Sequence, residues 1–492
     1  MGIIVRQSIS NAIVSYVGIS LGFVLTILLY PHILSPEEYG LTRVLISASY
    51  MCSQFAHLGF QHLVIRYYPF FKKADPHQHG LLFWVMIIPF IGFLIFSLIY
   101  LLADGLIIAY YSDQSPLFVE NFLWVIPLTL FILYFEVLNS YLRSLRDSVT
   151  GSLVNEVVQR ILVIILLAAY FFDWISFSWF ISLFVMSYLF QPMLVILSIY
   201  LKNEFKITPN FSIIRRKLVL GMARFSLYSL LGGLTTIIVW NVDVIMLGAM
   251  AGLEQTAIYA IAFYIASVVN IPQRSIEKIA GPLLSDFIKN KSWFEVGSVY
   301  SKTSLNQLLA GLLIFGLIWL HLDDLFLLLP DTYAAGKWVV FIIATGKLFE
   351  ALTGPNTLIL LNSQHYRVSF FANIFLVFVT ITANYLLIPI YGINGAAFAS
   401  ALALILFNLV KLIYIYYWMD LQPLSLPMIS IVAFGSISIY ICYMMIDLSS
   451  IWLNIPVKTI VFLVMFLVPL LYLNVSPDLN NLLRTIQKRI FK

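Results

Sequence analysis

The chain has 492 residues, of which 61% are Ala, Val, Ile, Leu, Met, Phe, Trp, Tyr or Cys and only 10% are charged, with a formal net charge of +5. Soluble domains run about half apolar and about a quarter charged, so this composition excludes a cytosolic enzyme, and a mean hydropathy of +0.95 excludes a disordered chain. The two cysteines, Cys52 and Cys442, lie inside apolar stretches, which leaves neither a disulfide framework nor a thiolate metal site, and no cofactor is implied. The basic residues fall in small clusters between apolar runs, a pattern of membrane topology rather than of nucleic-acid binding.

Apolar segments follow one another at about 8–31, 38–64, 81–103, 117–142, 149–171, 176–201, 218–248, 254–286, 298–320, 335–361, 367–389, 393–418, 426–446 and 455–474. Each is continuously apolar over roughly 20 residues, the length of helix that crosses a ~30 Å hydrocarbon core, whereas strands of a membrane barrel alternate over about 10. The fold class expected is all-α: a polytopic membrane protein of about 14 transmembrane helices. The first segment is too long for a secretory signal and ends in Tyr30-Pro31-His32 rather than at a small-residue cleavage site.

Orientation follows from Lys and Arg, which concentrate in short cytoplasmic loops. One side collects Arg6, Arg66, Lys72, Lys73, Arg143, Arg146, Lys202, Lys206, Arg215, Arg216, Lys217, Lys289, Lys291, Lys302 and Arg367, and the tail adds Arg484, Lys488, Arg489 and Lys492. The opposite loops carry acids such as Glu37, Asp104, Asp173, Asp323 and Asp447 with almost no basic residues. Both termini are therefore expected in the cytoplasm. In residues 475–492 apolar side chains recur at helical spacing opposite Arg484, Lys488 and Lys492, which suits an amphipathic helix on the anionic inner leaflet.

The two halves of the chain match at an offset of 217 to 219 residues. Arg6 and Ser8 meet Arg224 and Ser226, Glu37 meets Glu254, Lys72 meets Lys289, and Ser144 meets Ser363. This predicts two homologous six-helix lobes, residues 1–210 and 211–420, followed by helices 13 and 14 at 421–474. Six helices restore the starting side, so the lobes share one orientation and suit a secondary transporter whose cargo binds between them near mid-bilayer. No phosphate-binding Gly-rich loop, His-Glu-x-x-His or Gly-x-Ser-x-Gly is present, so neither an ATPase nor a hydrolase is expected.

Charges inside apolar spans are the informative residues, because each costs about 2.5–3.5 kcal/mol at mid-helix unless it is paired or faces water. Arg160 lies roughly 16 Å into the fifth span with Glu156 one turn before it, and Lys347 is as deep in the tenth with Glu350 three residues on. Arg274 and Lys278 share a face with one acid, Glu277. Arg43, Glu136, Arg224, Asp243 and Lys411 lie nearer the span ends. One reading is a water-filled cationic cavity, made by Arg160, Arg274, Lys278, Lys347, Arg43 and Arg224, that neutralises a phosphate or pyrophosphate headgroup; the planar guanidinium suits phosphate oxygens. The competing reading makes Glu156 with Arg160 and Lys347 with Glu350 structural pairs and lets Arg43, Arg224 and Lys411 snorkel to headgroups. Glu136, Glu156, Asp243 and Glu350 are candidates for ion coupling or charge pairing, and Asp243 alternatively caps its helix. Gly232-Gly233, Pro272, Pro282 and Gly354-Pro355 are candidate hinges, and Gly18 with Gly22 and Gly248 with Gly252 candidate sites of close helix packing.

The stretch Ile33-Leu34-Ser35-Pro36-Glu37-Glu38-Tyr39-Gly40 resembles the Leu-Gly-Pro-Glu-Glu-Tyr-Gly segment of polysaccharide export proteins, the Wzx-type oligosaccharide flippases of the MOP (MATE-like) exporter superfamily. Asp243, Leu247-Gly248 and Ala257-Ile258-Tyr259-Ala260-Ile261-Ala262 resemble that family's Asp-x-x-x-Leu-Gly run ending in Gly-x-Tyr-x-x-Ala, with Val244 where many members carry a basic residue and Ala257 where many carry Gly. The resemblance implies flipping of a polyprenyl-pyrophosphate-linked oligosaccharide for surface polysaccharide or O-antigen assembly, with the lipid bilayer, a polysaccharide polymerase and other assembly proteins as partners and no enzyme activity. Lipid II flippases and cation-coupled multidrug extruders of the same superfamily share the helix plan and stay open as alternatives, as does, more remotely, a membrane glycosyltransferase.

Overall fold

The computed structural model describes residues 3–74, 80–207, 216–445 and 451–476, with 478 and 480. All regular structure among them is helical. Most of the expected amphipathic tail lies outside the described residues. Ten described stretches are long and apolar enough to cross a membrane, and the chain is a multi-pass membrane protein. Its outer surface shows the inversion that lipid as solvent demands. Ile95, Leu98, Ile99 and Leu102 are exposed, while Thr42, Gln54, Thr129 and Gln191 are buried.

The chain forms two compact units, Met1–Ala260 and Ile261–Lys492. In the first, α1 (Ile3–Phe23) runs into a π turn at Val24–Leu29 and a last helical turn, Tyr30–Ile33. Pro31 supplies the cause, since it has no N–H with which to continue the regular ladder. Then come α2 (Pro36–Ala56), α3 (Phe60–Ala74), α4 (Leu81–Leu102), α5 (Val125–Ser144), α6 (Gln159–Phe171), α7 (Phe177–Ser187), α8 (Phe190–Leu201), α9 (Arg216–Met250) and α10 (Leu253–Ser267), which crosses the boundary between the units. Helix α5 is the hub, packing against α2, α3, α4 and α8. The span expected over 38–64 is not one helix. It breaks where Leu58 and Gly59 take φ of +52° and +77°, the left-handed region that only Gly adopts freely.

Helix α9 packs antiparallel along the whole of α2. A Cβ on Gly40 would stand 2.0 Å from the carbonyl oxygen of Leu253; Gly248 meets Val44, Gly233 meets the Gln54 amide, and Gly59 meets the backbone of Ser226. Ser226 Oγ also bonds the carbonyl of Leu58. Gly233 is therefore a packing residue inside a continuous helix, not a break, and Gly248 packs as the sequence suggests.

In the second unit α11 (Ile271–Lys289), α12 (Trp293–Leu320), α13 (Lys337–Thr353), α14 (Asn356–Asn362), α15 (Tyr366–Met419), α16 (Leu426–Met445) and α17 (Ile451–Tyr472) follow in order. Helix α13 packs on α12 and α15, α14 on α11 and α15, and α16 on α12 and α17. The span expected over 335–361 is divided between α13 and α14 by Gly354, whose φ is +62°, and Pro355. The spans expected at 367–389 and 393–418 are the two arms of α15, which kinks at Gly392.

A loop between α5 and α6 shows how the polar edge of the first unit is held. Both oxygens of Asp147 are used: Oδ1 accepts from the amides of Val149 and Thr150, and Oδ2 from the Thr150 hydroxyl at 2.8 Å and from Lys202 Nζ at 3.1 Å. Partial burial by itself would raise its carboxyl, but these donors outweigh it and hold the group below the ordinary value. A lowered native value means stability that is present above the unfolded value near 4 and is lost as pH falls through the native one. Thermal unfolding in detergent should therefore lose stability below about pH 4 in the wild type, with a smaller acid-dependent loss in Asp147→Asn. Identical acid profiles would contradict this assignment.

Candidate functional site

The first unit gathers its intramembrane charges around tyrosines. The motif at the start of α2 explains itself residue by residue. Ser35 is the N-cap, with its Oγ accepting from the Glu38 amide at 3.3 Å while Glu38 Oε2 accepts from the Ser35 amide at 2.8 Å, a reciprocal capping box. Tyr170 donates to the other Glu38 oxygen at 3.0 Å. Tyr39 is fully buried and stacks on Tyr30 at 4.6 Å. Gly40 makes room for Leu253, as above. One turn further on, Arg43 enters a group in electrostatic reach of Tyr30, Tyr50 and Tyr188. Arg160, at the start of α6, acts on Tyr188 as well.

These two guanidiniums lack acceptors. Arg43 Nε and Arg160 Nη1 are closed off from solvent and donate to no oxygen among the described residues. The expected pair of Glu156 with Arg160 does not close. Glu156 sits in a π turn, Val154–Val158, which rotates it off the i, i+4 register of a regular helix. Ion pairs within 4 Å form elsewhere, at Lys202 with Asp147, His321 with Asp324 and Lys337 with Asp323. Gly18 on α1 faces both Glu156 and Arg160, so its missing side chain accommodates them rather than a neighbouring backbone. Glu136 on α5 accepts from Gln61 Nε2 at 2.6 Å. Asp243 is buried two turns before the end of α9 and accepts from Tyr259 at 2.6 Å, which removes the capping reading. Arg224 is exposed on α9.

The second unit holds the other charges. Lys347 is buried and lies 5.4 Å from the Phe263 ring, while Glu350 accepts from Asn270 Nδ2 at 3.1 Å. Glu277 accepts from Gln273 Nε2 at 3.1 Å. Arg274 and Lys278 are exposed on α11, so the expected face with Glu277 is not a buried cluster. Lys411 departs furthest from expectation. It does not snorkel: it is 1% exposed and bonds Thr357. Sequence reasoning passed over Tyr30, Tyr50 and Tyr188, and also the amides Gln61, Asn270 and Gln273. The signal available was the amides themselves, since an amide in an apolar span needs a polar partner.

The fold is shared with solved flippase and transporter structures. The lipid II flippase MurJ in its inward closed conformation superposes with a TM-score of 0.70 at 13% identity, over 94% of this chain and 97% of that one. An inward-facing multidrug resistance MATE family transporter of the MOP superfamily gives 0.61 at 14% identity, over 84% and 97%. A MATE transporter in its straight conformation gives 0.52 at 14%, over 84% and 94%. The family model for polysaccharide biosynthesis proteins matches residues 4–287, more than half of the sequence, and the chain belongs to that family. No curated protein sequence matches it.

Proposed function

We propose that this protein is a flippase that carries a polyprenyl-pyrophosphate-linked oligosaccharide from the cytoplasmic to the outer leaflet of a bacterial-type plasma membrane, with both termini in the cytoplasm. The observation that carries this reading is the pair of unsatisfied guanidinium donors at Arg43 and Arg160 beside Tyr30, Tyr50 and Tyr188. Buried donors without acceptors are costly to keep, and a pyrophosphate supplies oxygens for both, while tyrosine faces suit sugar rings. Membership of a polysaccharide biosynthesis family supports the same substrate class.

In this reading Arg43 and Arg160 hold the headgroup, and Lys347, Arg274, Lys278 and Arg224 supply positive potential along its route. The lobes 1–210 and 211–420 are the repeats whose relative motion opens the route to each side in turn, and a polymerase and other assembly proteins receive the cargo. A cation-coupled drug extruder would instead make the acidic residues the site; Glu136 and Asp243 accept hydrogen bonds from Gln61 and Tyr259, and Glu156 faces Gly18. The deciding experiment reconstitutes the protein in liposomes with a fluorescent polyprenyl-pyrophosphate sugar. Translocation well above protein-free vesicles is the expected result. Failure to move this lipid, with expulsion of a cationic dye under an ion gradient, would replace the flippase reading by the extruder.

A further inference from the structure

Lys411 is a fully buried ammonium that no carboxylate touches. Its Nζ donates to Thr357 Oγ1 on α14 at 2.7 Å and lies 3.5 Å from the centroid of the Phe407 ring on its own helix. None of the ion pairs within 4 Å among the described residues includes it. Two carboxylates act on it from further away, Glu350 on α13 and Glu277 on α11. Neutral amides steady both: Asn270 donates to Glu350 and Gln273 to Glu277, and Gln307 acts on Glu277 as well. The remaining charges around this network are Lys347 on α13 and Arg274 on α11, which act on one another. Helix α14 contributes no titratable group; its Asn356 instead bonds Asn408 on α15 at 3.1 Å.

A hydroxyl and a ring return only part of the hydration that a buried ammonium gives up. Such a group lowers its energy in one of two ways, by shedding its proton or by moving to a carboxylate. Thr357 fits both charge states, because its hydroxyl accepts from an ammonium and donates to a neutral amine. Both carboxylates are held by neutral amide donors. The ammonium of Lys411 already brings these carboxylates the positive charge that a bound metal cation would supply.

Resting on the flippase reading above, we propose that Lys411 is the proton-carrying group of the transport cycle, and that the driving ion is H+ rather than Na+. In one conformation Nζ takes a proton from the aqueous side to which the site is open. In the other an N–H bond of the ammonium breaks, its electron pair stays on nitrogen, and the proton passes to the carboxylate of Glu277 or Glu350 and from there to water. The neutral amine left behind accepts from Thr357.

Two measurements separate this inference from the reading it rests on. The first follows thermal unfolding of the purified full chain in detergent from about pH 5.5 to 9.5 for wild type, Lys411→Met and Lys411→Arg, with no lipid substrate present. Met matches the lysine stem and removes the buried charge, Arg fixes it, and both should lack a one-proton pH dependence that wild type shows. The second compares translocation of a fluorescent polyprenyl-pyrophosphate sugar in liposomes under a pH gradient or a Na+ gradient. Wild type should accelerate by about tenfold under a gradient of about one pH unit and not under Na+, and both variants should lose the acceleration. A pH dependence and a pH-gradient response that persist in both variants overturn the proposal, as does acceleration by Na+ alone. If wild type moves no lipid while the unfolding profile depends on Lys411, the titration stands and the flippase reading falls.

Discussion

Replacing Arg43 and Arg160 together by Gln should lower translocation of the lipid-linked sugar by at least about 100-fold while leaving the protein as stable as wild type or more so. Each charge-assisted bond to a phosphate is worth about 1.5–3 kcal/mol, so losing two removes about 3–6 kcal/mol, which is two or more orders of magnitude in rate if they act in the transition state. The stability half of the expectation separates the two readings of these charges. A structural ion pair loses about 3–5 kcal/mol when one partner is removed, because a buried charge is left uncompensated. Here no pair exists to break, since Arg43 Nε and Arg160 Nη1 have no acceptor, and removing the charge relieves a desolvation cost. Translocation rates in liposomes and unfolding midpoints in detergent measure the two halves. Normal transport by the double variant would remove these residues from the site, and a large fall in midpoint would make them structural.

The second large effect is at Gly40. A methyl added there would stand 2.0 Å from the backbone oxygen of Leu253, which cannot rotate away as a side chain can. Overpacking of this kind typically costs about 1–3 kcal/mol, and a backbone obstacle places Gly40→Ala at the upper end. The variant should be recovered from membranes in reduced amount and unfold at a clearly lower temperature. Gly105→Ala is the matched control, because its added methyl meets nothing within 4 Å, and at a helical position Ala should be neutral or stabilising. Equal midpoints for the two variants would show that α2 and α10 do not approach as described.

The Gly40 result bears on why the family motifs exist. Ser35 to Gly40 and Asp243 to Tyr259 are recognisable in the sequence, yet neither is read from the sequence as a joint. In the structure they meet along one seam: Gly40 against Leu253, Val44 against Gly248, and Tyr259 on Asp243. Their physical role is to start α2 with a capping box and to let α9 and α10 come close to it. Arg43, one turn past Gly40, takes its position from that seam.

Composition and run length were enough to define an all-helical membrane protein, because burial in lipid is a property of single segments and leaves a one-dimensional record. The capping box at Ser35, which the structure shows, joins residues only three apart in the chain. Helix breaks at Leu58-Gly59 and Gly354-Pro355 were less legible, since apolar residues continue across them and only backbone φ marks the turn. The state of each charge was not written in the sequence at all. Glu156 and Arg160 have pair spacing but are separated by a π turn, and Lys411 has the spacing of a snorkelling lysine but is sealed against Thr357 and Phe407. Which charges are paired, exposed or stranded depends on side chains brought in from helices far away in the chain, and only tertiary packing decides that.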